Sequence, residues 1–226
     1  MISNKLLNEV KSILEKEFKK FFIKPNIQLL LKGKESGHTL ASEVETYTSD
    51  ILEKYGYDIS YEIHTSGKKK GSKKDRANSD FIFNKHRVNV KFSSEIEGQP
   101  NICSIKRLMD GLINGDIDGY YLLKIKYDRI NKKLSVYFFD VLDCLDVVEY
   151  NGGPGQTMLK EKKFYEKYSK INSIKRKSVE EKINSVFGMY EQKMLEHIKL
   201  KQKQLKQYAT KLESYRKTIK KSVKEK

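Results

Sequence analysis

Two short runs of strand-forming residues, 80–83 and 88–92, sit on either side of Asn84-Lys85-His86-Arg87, and this pattern constrains the chain more than any other. A polar break of that length between apolar runs reads as a β-hairpin, and a hairpin needs a sheet to bury its apolar face. In the second run Val88, Val90 and Phe92 alternate with Asn89 and Lys91. With side chains alternating at period two, the polar pair points to one face of the strand. Asp80 begins the first run, so folding of the hairpin gathers a carboxylate, an amide and an ammonium at one edge of a sheet. That trio suits phosphodiester chemistry. A carboxylate holds a hard divalent cation through oxygen, while a lysine orients water and offsets developing negative charge. An edge-strand lysine and a turn aspartate also arise for structural reasons alone, so the surrounding chain has to decide.

Residues 2–22 place Ile2, Leu6, Val10, Ile13, Leu14, Phe18 and Phe21 at helical spacing, which predicts an amphipathic helix on a core. Residues 24–37 hold Pro25, the apolar run Leu29-Leu30-Leu31 and a Lys-Gly-Lys-Glu-Ser-Gly end that reads as a loop. A second helix is predicted over 39–55, with Leu40, Val44, Tyr47 and Ile51 on its stripe and Glu45 on the margin. Residues 57–65 alternate strictly and predict a half-buried strand. Between that strand and Asp80, residues 67–76 carry six lysines or arginines, including Lys69, Lys70, Lys73 and Lys74, and read as a loop that contacts a phosphate backbone.

Beyond the hairpin, residues 100–112 predict a helix with Ile102, Ile105, Leu108, Met109 and Leu112 on one face. Strands are expected over 120–127 and 134–141, and Gly152-Gly153-Pro154-Gly155 breaks the chain. From about Met158 the sequence is helical and lysine-rich, with apolar residues at steps of three and four from Ile183 to Ile219. The expected architecture is an α/β core over 1–157 with a mixed central sheet flanked by helices, followed by a basic helical extension over 158–226. The extension should pack on the core or on a twin subunit as part of one structural unit.

The 226 residues carry 46 Lys and Arg against 30 Asp and Glu, a net charge of +16, which favours a polyanionic partner. Cys103 and Cys144 lie far apart with no Cys or His cluster nearby, excluding a zinc motif and a disulfide framework and fitting a reduced, cytoplasmic setting. No apolar run approaches membrane-spanning length.

Ser36-Gly37-His38 before the Val44-Glu45 helix, Asp80 with Asn89-Val90-Lys91, and Pro100-Asn101-Ile102 together resemble the PD-(D/E)xK nuclease superfamily. The similarity covers residues 36–112 and is closest to the blunt-cutting branch of type II restriction endonucleases represented by HincII and EcoRV. The resemblance implies a homodimeric, Mg²⁺-dependent enzyme that hydrolyses double-stranded DNA at a palindromic, A·T-rich site, partnered in its system by a cognate DNA methyltransferase. It further implies that Asp80 and the Val90 carbonyl bind metal, that Lys91 positions the attacking water, and that Glu45 lies near the metals. Asn89 departs from the pattern, because the family has a carboxylate there. Either one metal suffices, or Glu45, Glu95 or Glu97 supplies the missing charge, or the fold has become a noncatalytic nucleic-acid binder. Gln99 and Asn101 are amides suited to adenine contacts in the major groove, and Lys106 and Arg107 are expected on the DNA side.

Overall fold

The computed structural model describes residues 1–32, 36–60, 80–93, 100–151, 155–168 and 174–224. The chain forms two compact units, Met1–Val186 and Phe187–Lys226. The first is α/β with a mixed five-stranded sheet.

Three helices precede the sheet: α1 (Asn4–Phe22), α2 (Pro25–Lys32) and α3 (Ser36–Lys54). Ser3 caps α1 by accepting a hydrogen bond from the Leu6 amide, and lysines 19 and 20 in its last turn suit the negative end of the helix dipole. Residues 25–32 form a helix where the sequence showed only an apolar run, because proline is tolerated in a first turn and Ile27 and Leu31 gain burial.

The strands of the large sheet are β1 (Ile59–Ser60), β2 (Phe81–Phe83), β3 (His86–Ser93), β5 (Tyr121–Asp128) and β6 (Lys133–Asp140), ordered β1-β2-β3-β5-β6. Of the strand predicted over 57–65, residues beyond 60 lie outside the described residues. The β2-β3 hairpin is tighter than predicted. Only Asn84 and Lys85 form its turn, both with positive φ (45° and 70°), as a two-residue type I′ connection demands. His86 and Arg87 belong to β3.

All pairings are antiparallel except β3 with β5, which run parallel, Asn89 opposite Leu122 and Lys91 opposite Lys124. A parallel pair needs a crossover, supplied by β4 (Asn101–Ser104) and α4 (Ile105–Ile113). The helix predicted from residue 100 therefore starts five residues later, with Ser104 at its N-cap. Residues 101–104 extend instead, because β4 pairs with β8 (Gln156–Leu159), which in turn pairs with β7 (Val148–Asn151). This small second sheet was not foreseen. It follows a 3-10 helical stretch, Val141–Val147, and leads into α5 (Glu161–Lys167).

The two faces of the large sheet differ. Val88 and Val90 of β3, Tyr121, Leu123 and Ile125 of β5, and Val136 and Phe138 of β6 bury against α1, α2 and α3. Asp80, Asn89 and Lys91 lie on the other face by strand alternation. There the buried apolar residues include Ile102, Leu108, Leu122, Phe139 and Phe164.

The last helix, α6 (Val179–Lys224), begins in the first unit with Lys182 and Val186 buried and then forms the second unit. Its apolar residues from Phe187 onward, including Met194, Ile198, Leu205, Tyr208, Leu212 and Tyr215, are exposed. No helix among the described residues is long and apolar enough to cross a membrane.

Candidate active site

Asp80 stands immediately before β2. Its amide donates to the Val88 carbonyl at 2.9 Å, the last backbone bond of the described hairpin. Two residues along β3, the Val90 amide donates to Asp80 Oδ2 at 2.5 Å. The carboxylate is thus held against β3. The N–H and C=O of one strand residue point the same way, so the Val90 carbonyl also faces the side on which Asp80 stands. Burial pushes the Asp80 carboxyl above its usual range, opposed by the Lys91 charge and the Val90 amide.

Asn89 is 7% exposed. Its Nδ2 donates to the Tyr120 hydroxyl at 3.3 Å and to the Ile102 carbonyl at 3.5 Å, and its Oδ1 is buried without a hydrogen-bond partner. Tyr120, at the start of β5, also donates from its hydroxyl to the Ile102 carbonyl at 3.5 Å. Cys103 completes this wall, where burial raises its thiol above the ordinary value and a hydrogen bond with Tyr120 opposes the shift.

Lys91 is half-buried and directly across the parallel ladder from Lys124. Lys124 forms an ion pair with Glu161 of α5, their side chains only 2% and 0% exposed. Desolvation lowers the Lys124 ammonium despite Glu161, and Lys126 and Lys91 push the same way. Next along β5, Lys126 lies 4.9 Å from the centre of the Tyr165 ring. The face that carries Asp80 therefore carries Lys91 and Lys126 to either side of the neutralised Lys124–Glu161 pair, and their charge favours anionic groups held there.

The structure brings Asp80, Asn89, Val90 and Lys91 together as the sequence predicted. Glu45 is half-exposed on α3, the helix whose buried Leu40 and Val44 join Val88 and Val90 in the core on the opposite face of β3. Among the described residues no group of three or more His, Cys, Asp or Glu side chains converges as a metal cluster. Asn101 is exposed on β4, and Lys106 and Arg107 are exposed in the first turn of α4. Gln99, Glu95, Glu97 and the lysines 69, 70, 73 and 74 lie outside the described residues. Sequence reasoning missed Tyr120, Lys124 and Glu161. The signal for Lys124 was legible, since a lysine inside the apolar run Tyr121-Leu122-Leu123-Lys124-Ile125 must find a buried partner. Comparison with family models and with curated proteins finds no match for this chain.

Proposed function

We propose that the chain is a type II restriction endonuclease of the PD-(D/E)xK kind, acting as a homodimer on a palindromic, A·T-rich site in double-stranded DNA. The observation that carries this reading is Asp80. Its carboxylate is held by the Val90 amide at the entry to β2, on the same face as Asn89 and Lys91 in a sheet whose β3 runs parallel to β5. The homodimer, the palindrome, the A·T preference and a cognate methyltransferase in the same system follow from the sequence resemblance.

Mg²⁺ is the cofactor of this reading. The donors available are the Asp80 carboxylate, the Val90 carbonyl and the unpartnered Asn89 Oδ1, all hard oxygens, and this small set fits a cation that keeps most of its own waters. When bound, the ion polarises a phosphoryl oxygen and favours ionisation of a water. The protein's own groups do the remainder. Asp80 fixes the docking point, and Lys91 opposes charge developing on the scissile phosphate and orients the water that attacks it.

Incubating supercoiled plasmid that contains A·T-rich palindromes with the protein is expected to give discrete linear fragments with Mg²⁺ and none with EDTA. A gel shift without cleavage at every Mg²⁺ and Mn²⁺ concentration would instead favour the noncatalytic binder, the reading that the amide at position 89 supports.

The basic extension carries a separate expectation. Residues 191–226 hold 12 Lys and Arg against four Glu, a net +8 out of the whole chain's +16. Binding to DNA should release counterions in proportion to the phosphates neutralised. Deleting residues 191–226 is expected to flatten the plot of log affinity against log salt and to weaken binding to unrelated DNA at low salt by about tenfold or more. The first unit has its own core, so its thermal melt should move by only a few degrees. An unchanged salt slope would show that this segment makes no phosphate contacts.

A further inference from the structure

We infer that Asn89 is a built cation ligand rather than the remnant of a lost one, and that Tyr120 and the Ile102 carbonyl are the groups that position it. This inference rests on the endonuclease reading and deepens it.

The argument starts from the two ends of one amide. A carbonyl oxygen can only accept a hydrogen bond, so the branch of the Asn89 side chain that faces Ile102 must be the NH₂. Its two hydrogens have two acceptors, the Ile102 carbonyl and the Tyr120 hydroxyl. The Tyr120 hydroxyl has the same carbonyl and Cys103 as neighbours for its single hydrogen, and either use leaves its oxygen lone pairs for the amide. Both anchors lie on the side of β3 occupied by the crossover and β5. The amide is planar, so its oxygen turns away from the two anchors, and strand alternation sets Asn89 on the same face of the sheet as Asp80.

That oxygen is the anomaly. Asn89 is more than nine-tenths buried, and Oδ1 has no partner. Leaving a buried acceptor unpaired is costly, and native structures keep such a group when an ion, a water or a chemical role accounts for it. The position sits one residue before Val90, whose amide already holds Asp80. A neutral oxygen next to a single carboxylate gives a ligand set of net charge −1. This set binds a divalent cation more weakly than two carboxylates would, and it repels an incoming phosphate less.

The same geometry explains why an aspartate is absent. In Asn89→Asp one carboxylate oxygen would take the place of Nδ2 and face the Ile102 carbonyl, acceptor against acceptor. Only the Tyr120 hydroxyl could then donate to it, and doing so would cost its own bond to Ile102.

Calorimetric titration with Mn²⁺, on folded protein without DNA, tests the assignment in wild type, Asp80→Asn, Asn89→Leu and Tyr120→Phe, with thermal melts of each. Asn89→Leu is expected to weaken Mn²⁺ binding about tenfold or more while melting at or above the wild-type temperature, because an apolar isostere removes the unpaired oxygen. Tyr120→Phe is expected to weaken binding by a smaller factor, about two- to fivefold, since one of two anchors remains. Asn89→Asp should melt lower than wild type without metal and regain the difference on adding Mn²⁺. If Asp80→Asn abolishes Mn²⁺ binding and Asn89→Leu leaves it unchanged, the inference is wrong and the endonuclease reading stands. If wild type and Asp80→Asn bind Mn²⁺ equally, or neither binds it, the metal site itself is misplaced and both fall.

Discussion

Lys91→Ala is expected to reduce DNA cleavage by about 10²–10³-fold or more while leaving affinity for the DNA within a few-fold of wild type. Lys91 is one of several lysines on its face of the sheet, with Lys124 directly across the ladder and Lys126 further along. In the endonuclease reading docking draws on the many basic groups of the chain, Lys126 and the extension among them, so removing one charge changes affinity little. Chemistry draws on the ammonium beside Asp80, whose charge is the first influence opposing the burial of that carboxyl. The loss should therefore fall on the rate of the chemical step in single-turnover kinetics, with binding measured separately in Ca²⁺. Lys124 cannot substitute, because Glu161 already neutralises it inside the protein. Cleavage within about tenfold of wild type would sink the assignment of Lys91 and with it the grouping of Asp80, Asn89 and Lys91 as an active site.

Much of this was readable without a structure, for physical reasons. The period-two alternation of Val88, Val90 and Phe92 fixes which face is buried, so the partition that puts Asn89 and Lys91 together follows from sequence alone. The period of α1 was equally legible, because Val10, Leu14, Phe18 and Phe21 recur at helical spacing and are all buried, although Leu7 and not Leu6 fills the buried place one turn before Val10. What the sequence hid depends on pairing between distant segments. Residues 101–104 are strand only because β8, some fifty residues later, offers an edge, and the Thr157 hydroxyl bonds the Cys103 carbonyl at 2.7 Å across that junction. The same holds for Tyr120. Nothing local marks it as a partner of Asn89, since the contact spans 31 residues and exists only once β5 lies parallel to β3. The apolar stripe of α6 shows the converse. Its spacing was legible, but spacing cannot tell a helix that is covered from one whose Leu205, Tyr208 and Leu212 face solvent.

Far from Lys91, Lys182→Met is expected to destabilise the first unit by about 3–5 kcal/mol, the cost of leaving a buried charge without its counter-charge. The Lys182 side chain is fully buried, and its ammonium bonds Asp140 Oδ2 at 2.7 Å and the Asp118 carbonyl at 2.9 Å, with Asp143 Oδ1 at 3.6 Å. Removing it leaves two carboxylates inside the protein. Arg176 is the nearest remaining cation to Asp143, at 3.8 Å from its Oδ2.

Asp140 cannot move to water, because its Oδ1 accepts from the Tyr120 and Leu142 amides, and the space beside its Oδ2 is so tight that Gly119 has no room for a side chain. Burial already raises the Asp140 carboxyl, with Lys182 the main influence holding it down. An acid whose folded pKa lies above its unfolded value binds protons more tightly when folded, so its unfavourable contribution grows as pH rises and fades as pH falls. The deficit of Lys182→Met against wild type should thus be largest near neutral pH and narrow as the pH is lowered through the raised Asp140 range, where a proton replaces the missing ammonium. Urea melts of both proteins across that range measure the difference directly. Adding Asp140→Asn should recover part of the loss at neutral pH, since an amide oxygen still accepts from Tyr120 and Leu142 without carrying charge. A deficit that stays constant with pH, with no recovery in the double variant, would mean that Lys182 acts by filling space. Because the Asp140 bond to the Tyr120 amide anchors the start of β5, the single variant should also loosen the hydroxyl that holds Asn89. Mn²⁺ affinity in Lys182→Met is accordingly expected to fall even at temperatures where the protein remains folded.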